Sequence, residues 1–178
     1  RQELRYISDL IEARISAGEN AKAAALLENT LNNDIASPHM LRNFALFAND
    51  LQRMDLAERA LKALADTNGN ADAARLLRGQ FAIERKDLPA AELAFSEVSQ
   101  QAQSYVSAQI LLAGVRADLD QQVKAVEGLI HLAKLPSLDE NEHYRALAAL
   151  TGFLLEFERR EQAVEWLDVA LAQWPDDK

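Results

Sequence analysis

Three histidines and one acidic segment are the parts of this sequence with the most potential for metal binding or acid–base catalysis. His39, His131 and His143 stand far apart, and none is followed three or four residues later by another histidine or a carboxylate. Metal centres and general bases need several such groups to converge on one point. Residues 139–143 read D-E-N-E-H, but carboxylates are also favoured in the first turn of a helix. We therefore expect a helix start at this segment and no metal site.

The motifs that usually accompany enzymatic sites are absent from the sequence. It contains no Cys, and none of the patterns H-E-x-x-H, G-x-S-x-G, G-x-x-x-x-G-K-[ST] or G-x-G-x-x-G occurs. Trp166 and Trp174 have a spacing that helical packing alone explains, which favours packing over ligand stacking. We expect a protein that is not an enzyme and that holds no cofactor.

Charge and composition exclude several classes of protein. The net charge of −9 repels the phosphates of nucleic acids and argues against nucleic-acid binding. No apolar run approaches the roughly 18 residues that a membrane-spanning helix needs. The sequence has 32 Ala and 28 Leu but only seven Val, seven Ile, six Gly and four Pro, which predicts an all-α fold. It begins at Arg1 without an initiator Met or a leader, so we expect a fragment or processed product of unknown compartment.

A repeat of 34 residues organises the whole sequence. Ala23, Ala57, Ala91 and Ala125 follow one another at this spacing, and an aliphatic or aromatic residue comes four positions after each. A fifth copy begins at Ala163, after a spacing of 38 residues. Apolar stripes of helical periodicity precede these alanines, and short breaks separate the stripes. The pattern predicts five helical hairpins, over residues 4–37, 38–71, 72–105, 106–139 and 144–177.

The 34-residue unit resembles the tetratricopeptide repeat (TPR). The second-helix pattern of that family, A-x3-F, is met by Ala91 and Phe95, and the fifth unit ends on Pro175 as the family pattern does. The first-helix pattern is degenerate, with the family's glycine kept only at Gly79. The resemblance implies an α-solenoid of about ten antiparallel helices in a right-handed superhelical arc, as a single array over residues 1–178. It also implies a concave face formed mainly by the first helix of each unit.

The groove positions of the TPR family carry two kinds of residue in this sequence. Apolar or small residues form a predicted floor: Leu46, Leu76, Ile83, Ile110, Gly114, Ala148, Gly152 and Leu155. Carboxylates form a predicted acidic rail: Glu12, Asp50, Glu84, Asp118 and Glu156. Such a surface suits an amphipathic helix or an extended peptide, with basic residues opposite the rail. The alternative is a solvated edge that nearby cations partly neutralise, namely Arg53, Arg85, Lys86 and Arg159.

The carboxylate clamp of chaperone-binding TPR proteins is not reproduced in the first three units. Of the matching positions only Asn43 fits, and the others lack the cations of that clamp: Ser8, Glu12, Ala73 and Leu77. A terminal carboxylate would have no positive charge to bind it.

The predicted function is a non-catalytic scaffold that binds a peptide or helix of a partner protein. The segment from Ala90 to Ala113 resembles the periplasmic TPR lipoproteins of Gram-negative bacteria that act as adaptors for carboxy-terminal processing proteases, through Phe95, Val98, Tyr105, Ala108 and Ala113. This resemblance implies a periplasmic or outer-membrane-associated adaptor that brings a protease and its substrate together. Two alternatives stay open: a periplasmic scaffold of an exopolysaccharide secretion or pilus assembly machine, and a cytoplasmic interaction module.

The last predicted helix has an apolar face formed by Val164, Leu167, Leu171 and Trp174. Repeat arrays bury such a face under the next repeat or a polar capping helix. The sequence therefore predicts either a further repeat on this face or self-association through the C-terminal helix.

Overall fold

The computed structural model describes residues 2–33 and 36–173, with side chains for residues 6–33 and 36–172. Over these residues it consists of ten α-helices and contains no strand, so the all-α prediction is confirmed. The helices are α1 (Gln2–Ser16), α2 (Asn20–Asn32), α3 (Pro38–Asp50), α4 (Met54–Asp66), α5 (Ala71–Glu84), α6 (Leu88–Ser96), α7 (Tyr105–Asp118), α8 (Gln122–Ala133), α9 (Glu140–Glu156) and α10 (Arg160–Gln173). In this part of the chain no helix combines the length and the apolar character needed to cross a membrane.

The chain divides into two compact units, one up to Phe81 and the other from Ala82, so the division falls within α5. In the first unit α1 packs on α2, α3 packs on α4, and α3 also contacts α1 and α2 around a buried cluster that includes Phe44. In the second unit α7 packs on α8, α9 packs on α10, and α9 also contacts α7 and α8 around a cluster that includes Leu150. Each unit thus builds its own core from helical hairpins. The single right-handed array over residues 1–178 stays a prediction.

Side-chain caps set several helix starts. Asp139 accepts a hydrogen bond from the Glu142 backbone N–H at 2.8 Å, and the Glu142 carboxylate accepts one from the Asp139 N–H at 3.1 Å. This reciprocal capping box begins α9, so the helix start predicted at residues 139–143 is confirmed. Ser37 caps α3 and Asp87 caps α6, each by accepting a bond from the backbone N–H three residues later.

All five turns between the first and second helix of a repeat share one backbone conformation. One residue in each turn has a φ between 56° and 75°, in the left-handed region: Gly18, Gln52, Lys86, Asp120 and Glu158. That residue and the next donate their N–H groups to carbonyls of the preceding helix, which are the paired bonds of a Schellman motif. Only the first of the five turns uses glycine, although L side chains disfavour this conformation.

Small residues occupy the same buried position in every hairpin. The repeat alanines are at most 1% exposed, at Ala23, Ala57, Ala91, Ala125 and Ala163. A small side chain at this position allows the second helix to approach the first closely. The residue four positions later is equally buried in the first four repeats, at Leu27, Leu61, Phe95 and Leu129. In the fifth repeat the corresponding Leu167 is 42% exposed.

Two arginines of α5 stand where α3 has apolar side chains. Arg75 and Arg78 hold the repeat positions of Leu41 and Phe44, which are buried in α3. Arg75 forms an ion pair with Asp72 at 2.8 Å, and Arg78 forms one with Glu58 of α4 at 3.0 Å. The third repeat therefore replaces part of the apolar stripe with charged pairs.

Candidate functional site

Most of the predicted floor and rail residues of the second unit lie on two neighbouring helices, α7 and α9. Positions 107, 110, 114 and 118 form one stripe along α7, and positions 145, 148, 152 and 156 form the matching stripe along α9. The helices are in contact, and the Arg145 guanidinium donates a hydrogen bond to the Ser107 hydroxyl at 2.8 Å. This bond links the first residues of the two stripes. We call the surface formed by the two stripes and Leu155 the α7/α9 face.

Two glycines leave open space in the middle of the α7/α9 face. A Cβ atom built on Gly114 or Gly152 meets no other atom within 4 Å, apart from the backbone of its own helix and its chain neighbours. Glycine inside a helix costs about 1 kcal/mol relative to Ala. No steric crowding requires glycine at either position, so these residues have no packing role that offsets their cost. Their effect is to leave the middle of the face without side chains.

The remaining floor residues of the face are apolar and accessible. Ile110 is half-buried and packs against the core of the second unit. Ala148 is exposed, and Leu155 is 52% exposed although it is a large apolar side chain. The face therefore offers apolar contact area that its own unit leaves uncovered.

Carboxylates lie at one end of the α7/α9 face. Asp118 is the last residue of α7 and Glu156 is the last residue of α9, and both are exposed. Neither forms an ion pair with any side chain that the structure describes. The C-terminal end of a helix carries partial negative charge from its unpaired carbonyls. Helix ends and carboxylates together make this end of the face attractive to cations.

The first unit fills the same repeat positions with larger or more polar side chains. Glu12 of α1 and Leu46 of α3 correspond to Gly114 and Gly152, and both are exposed. Asp50 ends α3 as an exposed carboxylate. The predicted stripes exist here too, on two helices in contact, but larger side chains stand where the second unit has glycine.

Three predicted site residues lie on α5. Leu76 belongs to the first unit, while Ile83 and Glu84 belong to the second. The two apolar residues are half-buried and Glu84 is exposed. Because the division between the units falls within this helix, these residues are assigned to neither face.

The cation nearest in sequence to Asp50 is engaged elsewhere. The Arg53 guanidinium forms an ion pair with the Asp55 carboxylate at 2.6 Å. The hydrogen bond from Arg53 lowers the pKa of Asp55 to about 2. Arg53 is thus paired with a carboxylate in the first turn of α4. This pairing argues against the alternative in which Arg53 neutralises the acidic rail.

Residues with potential for other chemistry are dispersed. No group of three or more His, Cys, Asp or Glu in the described ranges is arranged to hold a metal ion. Trp166 packs against the core of the second unit, and Lys134 Nζ lies 5.8 Å from the centroid of its ring. This agrees with the expected packing role of Trp166. Trp174 and Pro175 lie outside the described residues.

Sequence reasoning missed two features of this region. The hydrogen bond between Arg145 and Ser107 joins residues 38 positions apart, so no local pattern in the sequence indicates it. It treated the glycines as small floor residues, but the open space above them depends on neighbouring atoms. Both features depend on how residues distant in the sequence are arranged in three dimensions.

No protein-family model and no curated protein matches the chain. Several solved structures do. A kinesin light chain-like protein of Podospora anserina with nearly identical TPR-like repeats is 16% identical, with a TM-score of 0.64 over 99% of this chain and 98% of that one. PilF of Pseudomonas aeruginosa is 16% identical, with a TM-score of 0.59 over 97% of this chain and 76% of that one. MamA is 17% identical, with a TM-score of 0.59 over 95% of this chain and 90% of that one.

These likenesses concern the fold. They confirm the TPR-like repeat fold that the resemblance implies, an α-solenoid of helical hairpins. Neither the groove positions nor a partner follows from this likeness in fold.

Proposed function

We propose that this chain is a non-catalytic scaffold that binds a segment of a partner protein on the α7/α9 face. The observation that carries the proposal is the open space at Gly114 and Gly152, beside the exposed Leu155 and next to two carboxylates that form no ion pair with the side chains described. The TPR-like fold supports it, because stacked hairpins present extended surfaces made by their first helices.

The chemistry of the face defines the partner segment. The open space at Gly114 and Gly152 leaves room for a bulky apolar side chain, and Leu155 adds apolar contact beside it. Asp118 and Glu156 favour Lys or Arg in the part of the segment that lies over the ends of α7 and α9. We therefore propose a partner segment with apolar anchors followed or preceded by basic residues.

Apolar contact should contribute more to affinity than charge. Each exposed carboxylate is worth about 0.2 to 1 kcal/mol and is screened by salt. Burying one large apolar side chain of the partner is worth about 1.5 to 3 kcal/mol. The carboxylates should mainly accelerate association and orient the segment.

The test uses a peptide selected from a displayed random library on the immobilised chain, with affinity then measured by fluorescence anisotropy. Gly152→Phe should weaken binding by at least about tenfold, because the new ring occupies the open space on the face. The substitution should leave the fold intact, since no atom crowds this position and glycine is a poor helix former. Val123→Phe is the matched control, because Val123 is already 57% exposed on α8, outside the face.

The combined reversal Asp118→Lys with Glu156→Lys completes the test. It should lower the association rate at low salt and have little effect at high salt. A selected peptide that binds the Gly152→Phe chain as tightly as wild type would show that binding takes place elsewhere. The proposed face would then be wrong.

A finer version of the proposal makes the chain an envelope adaptor that brings a protease and its substrate together. It rests on the resemblance of the segment from Ala90 to Ala113 to the periplasmic TPR lipoproteins that act as adaptors for carboxy-terminal processing proteases. Four of the five residues that carry this resemblance are at most 4% exposed, and the fifth, Tyr105, is half-buried. These residues therefore belong to the core of the repeats, and a protease would have to contact other, exposed residues. Co-precipitation of a carboxy-terminal processing protease by wild type, and its loss with Gly152→Phe, would support the adaptor role.

A further inference from the structure

The turn between α4 and α5 contains the one Asn-Gly pair of the sequence, at Asn68 and Gly69. The Asn70 N–H donates a hydrogen bond to the Thr67 carbonyl at 3.2 Å and so closes a turn of four residues. Gly69, the third residue of this turn, has a φ of 78°, in the range of a type II turn. Glycine adopts this conformation without strain, which explains the residue type at position 69.

The two groups of this pair that could react with each other are accessible. Asn68 is exposed, and its side-chain amide forms no hydrogen bond with the residues that the structure describes. Among the same residues, no carbonyl accepts a hydrogen bond from the Gly69 N–H. The Gly69 nitrogen is therefore not held by a hydrogen bond that would have to break before it reacts.

The peptide between Asn68 and Gly69 has room to rotate. A Cβ atom built on Gly69 meets no atom within 4 Å apart from its chain neighbours, so nothing crowds this residue. Turns of types I and II differ by a rotation of this central peptide and can share the same closing hydrogen bond. The Asn68 carbonyl accepts an exposed hydrogen bond from Asn70 Nδ2 at 3.1 Å, and such a bond, which competes with water, opposes the rotation only weakly.

We propose that Asn68 is a site of spontaneous deamidation and isoaspartate formation. The Gly69 nitrogen attacks the Asn68 Cγ and forms a five-membered succinimide ring. The bond between Cγ and the side-chain nitrogen breaks, and this nitrogen leaves as ammonia with the proton of the Gly69 N–H. Water then opens the ring at one of its two carbonyl carbons. Opening at Cγ gives aspartate, and opening at the main-chain carbonyl carbon gives isoaspartate, in which the main chain runs through Cγ.

Another exposed asparagine, Asn141, lacks these favourable features. It lies in the first turn of α9, and the N–H of the next residue, Glu142, donates a hydrogen bond to the Asp139 carboxylate at 2.8 Å. The Glu142 nitrogen would have to give up this capping bond before it could attack, and its own side chain hinders ring formation. The structure thus distinguishes a reactive asparagine from a protected one.

Both products change the turn between α4 and α5. Each adds one negative charge to the net charge of −9. In the aspartate product this charge lies three residues before Ala71, the first residue of α5, and a negative charge near a helix N-terminus is favourable. Isoaspartate also adds a methylene group to the main chain between Thr67 and Asn70, so it should disrupt the hydrogen bond that closes the turn. This proposal is independent of partner binding on the α7/α9 face.

The test is incubation of the folded full chain at neutral pH and physiological temperature. Ion-exchange chromatography follows the more acidic species, and fragmentation mass spectrometry locates it and distinguishes isoaspartate from aspartate. Asn68 of the folded chain should convert within about tenfold of its rate in a peptide of residues 64–74, because no hydrogen bond of the Gly69 N–H has to open first. Asn141 should convert at least about tenfold more slowly than Asn68, because its neighbour must leave a cap.

Asn68→Gln is the matched control. It keeps an amide at this exposed position, but the extra methylene requires a larger and less favourable ring. This variant should keep the helicity of wild type by circular dichroism and should not form the acidic species. An acidic species that forms equally in this variant would overturn the proposal. So would a folded chain that converts Asn68 more than about tenfold more slowly than the peptide, or equal rates at Asn68 and Asn141, because the open turn would then not determine the reaction.

Discussion

One surface position of the repeat carries glycine in the second unit of the molecule and larger side chains in the first. In the second unit this position holds Gly114 and Gly152, and no neighbouring atom lies within 4 Å of an added Cβ. In the first unit it holds Glu12 and Leu46, which are exposed. The buried positions do not diverge in this way, since the repeat alanines and the apolar residues that follow them recur in both units.

The difference separates what folding requires from what binding requires. A buried position tolerates few side chains because a changed volume strains or empties the core. An exposed position on the first helices carries no such penalty, so it can differ between units without affecting the fold. The pair of glycines on the surface of the second unit is therefore the better indicator of a binding surface, while the shared core indicates only the repeat.

The largest expected effect concerns the shared core. Ala57→Leu in the first unit and Ala125→Leu in the second should each lower the free energy of unfolding by about 1 to 3 kcal/mol, because both alanines are at most 1% exposed and a larger side chain overpacks the hairpin. Urea unfolding followed by circular dichroism measures the effect. Ala21→Leu, at an exposed position of α2, should change the free energy of unfolding by less than about 0.5 kcal/mol. If either core variant matched wild type, the two units would not share this packing.

A smaller effect is expected at the turns. Gln52→Gly in the first unit and Glu158→Gly in the second should each raise the free energy of unfolding by about 0.5 to 1 kcal/mol. The reason is that φ values of 56° and 59° strain every residue type other than glycine. We expect the free energy gained by removing this strain to exceed the entropic cost of ordering a glycine on folding. Gly18→Ala should lower stability by a similar amount. Thermal melts in which both glycine variants lose stability would contradict this account of the turns.

Sequence periodicity was sufficient to predict the hairpins, because the spacing of alanines and apolar residues reflects helix packing directly. The helix start at Asp139 was also predictable, since the capping box from Asp139 to Glu142 is a local pattern of four residues. The left-handed turns were not, because four of the five lack the glycine that usually marks them. In those turns the two packed helices impose the conformation on Gln, Lys, Asp or Glu.

The site was less predictable than the fold. Its residues were placed by analogy with groove positions, and their exposure depends on atoms far away in the sequence. Leu46 and Leu155 were both expected on the floor, and both are exposed, yet only Leu155 lies one helical turn from a floor glycine, Gly152. The exposure of Tyr6 and Leu10 on α1 likewise could not be read from their apolar character, which equally fits buried positions.

The smallest expected effect distinguishes the units by an ion pair. Arg53 and Asp55 pair in the first unit, while Arg159 and Glu161 hold the same repeat positions in the second and form no ion pair with each other in the structure. The hydrogen bond from Arg53 lowers the pKa of Asp55 from 3.8 to about 2. A carboxyl with a depressed folded-state pKa stabilises the protein above its unfolded-state pKa, and this contribution is lost as the pH falls through the folded-state value.

Arg53→Gln should therefore lower the melting temperature slightly above about pH 4, and the difference from wild type should shrink as the pH falls toward about 2. Arg159→Gln should show no such convergence, because no pair is present to titrate. Melting curves measured in half-unit steps of pH compare both variants with wild type at constant ionic strength. A constant difference for Arg53→Gln down to pH 2 would mean that Arg53 stabilises the turn through its packing rather than through the charge of Asp55. The same convergence for both variants would remove this distinction between the units.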